Sequence, residues 1–208
     1  TALAYISAIL FMIFASGIDK KYIILAVVLI AVSTPVIYAN LPEHALKRIE
    51  VFLNPGIDPR GAGYNILQSK LAIGAGEIFG MGLFKGNQTQ LGFLHPKTTD
   101  FIFSAIGEEM GFIATGSITI LYIILVTKAI YVAKTAKDNI GSYIAIGIAG
   151  IFFFHMTENI GMTIGLLPIT GIPLPFVSYG GSSLVTNFIC IGLLLNISSR
   201  RQKAIFVE

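Results

Sequence analysis

Long uncharged apolar runs alternate with short charged interruptions along this chain, and the run lengths predict its elements. A helix crossing the hydrocarbon core of a bilayer needs about 20 mostly apolar residues. Thr1 to Ile18 carries no charge and predicts a first span, closed by the turn Asp19-Lys20-Lys21. Tyr22 to Ala39 predicts a second, with Pro35 expected to kink it near its far end. Residues 41–100 form a polar, glycine-rich connection expected to hold short helices. A third span is expected from Phe101 to about Thr127, with Glu108 and Glu109 near its start, and Ile140 to Thr157 predicts a fourth. Between them, Lys128 to Asp138 contains three lysines.

From Asn159 to Ser199 no residue is charged, a run too long for one ordinary span. Pro168, Pro173 and Pro175 break its first half, and Gly180-Gly181 precede a clean apolar stretch from about Ser182 to Ile197. Residues 161–181 are therefore read as an irregular or re-entrant segment. Such backbone is tolerated at membrane depth only where protein or a water-filled cavity covers it. The expected fold class is an all-α integral membrane protein, a helical bundle of about five spans forming one membrane domain over residues 1–208. Two spans fall in 1–40 and three in 101–199, with a tail at 200–208. Asp19-Lys20-Lys21, the lysine-rich turn and Arg200-Arg201-Gln202-Lys203 then share one side, which the positive-inside rule makes cytoplasmic. The 41–100 connection and the 161–181 segment face each other on the outside.

Composition supports the class. Hydrophobic residues make up 54% of the chain and charged residues only 12%, against about a quarter charged in a soluble domain. The single cysteine, Cys190, lies in an apolar run and excludes a disulfide framework or a cysteine metal cluster. The chain begins Thr1-Ala2-Leu3 without a basic flank, so no signal peptide is read and the start is expected to be a cut within a longer protein.

Chemistry concentrates where the polar connection enters the third span, at Leu94-His95-Pro96-Lys97-Thr98-Thr99-Asp100-Phe101. A carboxylate there could take a proton from a substrate hydroxyl while a lipid tail stays in the bilayer; the plainer alternative is that Asp100 only caps the helix. Glu108 and Glu109 lie about 12 to 14 Å further along the axis, too far to form a close pair with Asp100. Glu109 is expected to be buried against a lysine or arginine. His155 and Glu158, three apart, are expected to share a helix face as a structural pair. No Ser-His-Asp arrangement or zinc spacing is present. The glycine-rich stretches at 61–70 and 74–76 match neither nucleotide-binding fingerprint; their glycines are expected to permit close backbone packing. The basic residues of the connection, among them Lys47, Arg48, Arg60, Lys70, Lys85 and Lys97, suit either a solvated loop or an anionic lipid headgroup.

Two stretches carry a family resemblance. Residues 159–183, containing Asn159-Ile160-Gly161-Met162, Ile169-Thr170-Gly171-Ile172-Pro173-Leu174-Pro175 and Ser178-Tyr179-Gly180-Gly181, resemble the C-terminal signature of the SEDS family (shape, elongation, division and sporulation). Asp58-Pro59-Arg60-Gly61-Ala62-Gly63-Tyr64, Gln68-Ser69 and Thr99-Asp100-Phe101-Ile102-Phe103 resemble its large outer loop. The details look most like the elongation branch, and the five spans fit the second half of the family's ten-span plan. The resemblance implies a peptidoglycan glycosyltransferase that polymerises lipid II on the outer face of the bacterial cytoplasmic membrane, beside a class B penicillin-binding protein. A lipid II transporter and a non-catalytic scaffold are the alternatives. The family's essential aspartate falls on Asp100, expected as general base. Arg60, Lys70, Lys85 and Lys97 are candidates for the diphosphate, with Arg60 and Lys97 adjoining the matched motifs. Gln68, Ser69, Ser178 and Tyr179 are candidates for sugar or phosphate, and Glu108 and Glu109 for support of the site. No protein metal cage is expected, although Mg2+ or Mn2+ could accompany the diphosphate. Neither an organic cofactor nor a nucleic-acid partner is expected.

Overall fold

The computed structural model describes residues 2–58, 61–96 and 98–200. Arg60 and Lys97 lie outside the described residues, as does the tail beyond Arg200. The described chain is helical: α1 Ala2–Ala15, α2 Lys20–Ala39, α3 Glu43–Leu53, α4 Ala62–Ala75, α5 Asn87–Gln90, α6 Ile102–Lys134, α7 Asn139–Thr163 and α8 Gly181–Ser199.

Local chemistry sets several boundaries. Gly17, at φ +72°, lets the chain turn out of α1. Asp138 starts α7, its Oδ1 accepting from Gly141 N at 3.0 Å. Gly61 stands at the cap of α4, and Asp58 Oδ2 accepts from the first helical amide, Ala62 N, at 3.3 Å.

The core is built by α6 and α7, with α1 laid against α7. Val126, Ala129 and Val132 of α6 pack with Ala145, Ala149 and Phe152 of α7 and with Leu194 of α8. Glycines bring α1 close. A Cβ on Gly150 would sit 3.0 Å from Ala8 Cα, and Ser7 Oγ donates to Gly150 O at 3.0 Å. Outward faces stay apolar, as with Leu121 and Ile124 on α6 and Phe188 and Ile189 on α8. This is a multi-pass membrane protein.

Among the described residues, three helices are long and apolar enough to cross a membrane: α6, α7 and α8. The expectation of five is thus met in part. α1 is apolar throughout, and 14 of its residues, Ala2–Ala15, are described. α2 runs over 20 residues but opens on two lysines and carries Pro35 inside it.

One cavity is lined by Phe14 and Ala15 of α1 together with Lys134, Lys137 and Asp138, and another by Lys137, Asn196 and Arg200. The end of α1, the α6–α7 turn and the end of α8 therefore share one end of the bundle, as the charge pattern predicts. The polar connection and the proline-rich segment meet at the other.

α6 is not the uninterrupted helix that its sequence predicts. It breaks at Gly111, at φ 72° and ψ −169°. In an unbroken helix the Glu108 and Glu109 carbonyls would accept from Phe112 and Ile113. Instead they accept from Met81 N and Gly82 N, each at 2.9 Å. Phe112 N and Ile113 N donate to Glu77 O at 2.9 Å and Ile78 O at 3.2 Å. The connection is thus threaded into the break, and each displaced backbone group finds a partner there. Glycine is required for this approach: a Cβ on Gly76 would lie 1.8 Å from Gly107 O, and one on Gly80 2.3 Å from Glu109 O.

Candidate active site

Asp100 lies in a turn just before α6. The capping position belongs to Phe101, with no side-chain cap bond, so the Asp100 carboxylate is not the cap. Phe101 and Leu94 are buried with Ala72 of α4 and anchor the turn from below. From the other side, three successive carbonyls are held. Thr98 O accepts from Tyr179 N at 2.9 Å, Thr99 O from Ser178 Oγ at 2.7 Å, and Asp100 O from Asn159 Nδ2 at 2.9 Å. The Asp100 side chain is half-buried and lies beside exposed Gly171, where an added Cβ would stand 3.1 Å from Oδ2. Among the described residues, no hydrogen bond or ion pair engages this carboxylate.

The irregular segment runs from Ile164 to Gly180, because α7 continues through Thr163 before the expected break takes effect. Its backbone is fixed by side chains. His155 Nδ1 meets Pro173 O at 3.1 Å, Thr170 Oγ1 donates to Glu158 Oε1 at 2.8 Å, and Asn159 Nδ2 also donates to Ile172 O at 2.8 Å. Tyr122 OH donates to Pro175 O, and Ser178 Oγ accepts from Leu174 N at 2.7 Å. His155 and Glu158 thus hold different points of one segment rather than each other. Asn159 is not among the site residues that the sequence suggests; the signal it offers is an amide far along an apolar helix, and buried amides are hydrogen-bonded.

The other candidates divide by placement. Ser69 is fully buried; its Oγ donates to Thr163 O at 2.6 Å and accepts from Ser104 Oγ at 2.6 Å. The Ser178 hydroxyl is likewise committed within the clamp. Both serines hold the chain together in this conformation. Tyr179 is 81% exposed beside the turn, Gln68 is half-buried, and Lys70 and Lys85 are exposed. Lys70 drapes over Gly165, where an added Cβ would stand 2.4 Å from Nζ.

Glu108 is fully buried. Its two oxygens accept from Gln88 N at 2.6 Å and Thr89 N at 2.9 Å and so hold the start of α5. Glu109 accepts from Gln90 Nε2 at 2.9 Å and Thr89 Oγ1 at 3.3 Å, polar partners in place of the expected cation. These helices enclose a groove of about 380 Å³ whose walls include apolar Phe84, Ile102 and Met110 and polar Thr98, Gln90 and Glu109. It opens next to the Asp100 turn. Among the described residues, no group of three or more His, Cys, Asp or Glu side chains could hold a metal ion.

The sequence pattern of the FtsW/RodA/SpoVE family, described as cell cycle proteins, matches residues 1–203. The chain is 40% identical over 194 residues to peptidoglycan glycosyltransferase MrdB of Escherichia coli K12, covering 93% of this chain and 52% of that protein. It is 45% identical over 161 residues to peptidoglycan glycosyltransferase RodA of Treponema pallidum, covering 77% of this chain and 37% of that one. A solved structure described as showing "structural coordination of polymerization and crosslinking by a peptidoglycan synthase complex" matches with a TM-score of 0.78 at 26% identity, over 97% of this chain and 56% of that one. The chain spans about half the length of the curated relatives it matches.

Proposed function

This chain belongs to the FtsW/RodA/SpoVE family of cell cycle proteins, and from that membership we propose that it carries the reactive aspartate of a peptidoglycan glycosyltransferase. The substrate is lipid II, and the site faces the outside of the bacterial cytoplasmic membrane. Asp100 takes the proton from the acceptor's GlcNAc 4-hydroxyl as that oxygen bonds to the anomeric carbon of the donor's MurNAc. The bond from this carbon to the diphosphate breaks, and undecaprenyl diphosphate leaves with the electron pair. One observation carries the reading. The Asp100 turn is held by all three of its carbonyls, while its carboxylate stays beside exposed Gly171. A fixed backbone with a carboxylate uncommitted among the described residues suits a general base.

Exposed Lys70 and Lys85, with Arg60 and Lys97 from the sequence, supply positive charge for the leaving diphosphate. Mg2+ or Mn2+ carried on that diphosphate would add positive charge there. The groove by Thr98 and Met110, mostly apolar with Thr98, Gln90 and Glu109 among its lining residues, suits a lipid-linked sugar. A class B penicillin-binding protein is the proposed partner, supported by the likeness to a peptidoglycan synthase complex.

The test uses the full-length protein reconstituted with labelled lipid II and its penicillin-binding partner, whose transpeptidase is blocked. Asp100→Asn is expected to lower polymerisation at least about 100-fold while lipid II binding survives. Unchanged polymer would remove Asp100 from the chemistry and favour transport or scaffolding.

A further inference from the structure

The geometry points to Asn159 as a positioning residue for Asp100. This rests on the reading of Asp100 as general base. Asn159 is fully buried in α7, so its amide cannot touch a substrate. Its Nδ2 donates to Asp100 O at 2.9 Å and to Ile172 O at 2.8 Å. Both acceptors are carbonyls, so only the NH2 end of the amide can face them and the orientation is fixed. Oδ1 consequently points away, buried and without a hydrogen-bond partner among the described residues. A buried acceptor left unpaired is costly, and burial of an amide in an apolar helix is sustained here by the two bonds on its other end.

Those bonds join particular neighbours. One carbonyl belongs to the residue that carries the carboxylate. The other belongs to the residue after Gly171, the glycine against which Oδ2 lies. The Asn159 side chain therefore ties the proposed base to the wall beside it. Ser178 repeats the arrangement one residue earlier, bridging Thr99 O and Leu174 N. Of the two, Asn159 is the one that bonds the main chain of Asp100 itself.

Asn159→Asp keeps the shape and replaces the donor with an oxygen that faces two carbonyls, so the bridge opens. The full-length protein with its partner is assayed over a range of lipid II concentrations, next to Asn159→Ser, whose shorter hydroxyl donates to one carbonyl at most. A displacement of about 1 Å at a reacting group can cost about 100-fold in rate. The expected result is a fall in kcat of between about 10-fold and 100-fold for Asn159→Asp and a smaller fall for Asn159→Ser, with KM and lipid II binding within about threefold of wild type. The proposal is overturned if kcat is retained, if the loss lies in KM, or if neither variant accumulates in the membrane. The last result would make Asn159 a folding residue. Full polymerisation by Asp100→Asn would instead sink the reading of the base, so the two failures are separable.

Discussion

Ser69 has a hydroxyl with two partners and no exposure, so its removal acts first on the fold. Ser69→Ala leaves Thr163 O and the Ser104 hydroxyl each short of a partner, at a cost of about 1–3 kcal/mol. The expected outcome is a lower Tm in detergent, with KM for lipid II in the folded full-length enzyme within about twofold of wild type. A large rise in KM would return Ser69 to the substrate contacts that the family resemblance implied. Asp100 could be read from the sequence because a carboxylate at the mouth of an apolar run is conspicuous. Asn159 could not: its acceptors at Asp100 and Ile172 lie 59 and 13 residues away. The roles of Ser69 and Ser178 were hidden for the same reason, since a serine's sequence context does not say whether its hydroxyl turns inward.

At the scale of elements, α6 owes its shape to a partner distant from the break. Gly111 looks like one more small residue in an apolar helix, and the interruption forms only because residues 77–82 supply replacement backbone bonds. The 164–180 segment announced itself through its prolines and glycines. The α6 break had no comparable signal. Gly111→Ala would place a Cβ 2.4 Å from Gly80 N and hold alanine at φ +72°. Backbone at φ 72° and ψ −169° is essentially restricted to glycine and costs another residue about 1–3 kcal/mol, and the backbone contact adds to it. This variant is expected to accumulate poorly and to lose thermal stability. Gly116→Ala is the control, because its Cβ would meet only the Phe112 ring at 3.9 Å, and it is expected to behave as wild type. Equal behaviour of the two variants in a thermal-shift assay would show that threading through the break is dispensable.

At the scale of the whole molecule, the clamp on Asp100 is built within this chain, from α7 and the segment that follows it. Completing a polymerase is a different matter. Transfer between two lipid-linked sugars needs walls for both donor and acceptor, and the chain spans about half the length of its curated relatives. Exposed apolar side chains along α1 and α2, such as Ile6, Phe14, Leu25 and Val32, give the bundle faces that either lipid or further helices can cover. The alternation of apolar runs and charged turns foretold the membrane class and the shared end of the turns, because hydropathy and charge are local properties. These 208 residues alone are expected to make no glycan from lipid II, whereas the full-length protein with its proposed partner is expected to make it. Gel analysis of labelled product from both preparations decides this. Polymer from the chain alone would mean that donor and acceptor both bind within the space between the 41–100 connection and the 164–180 segment.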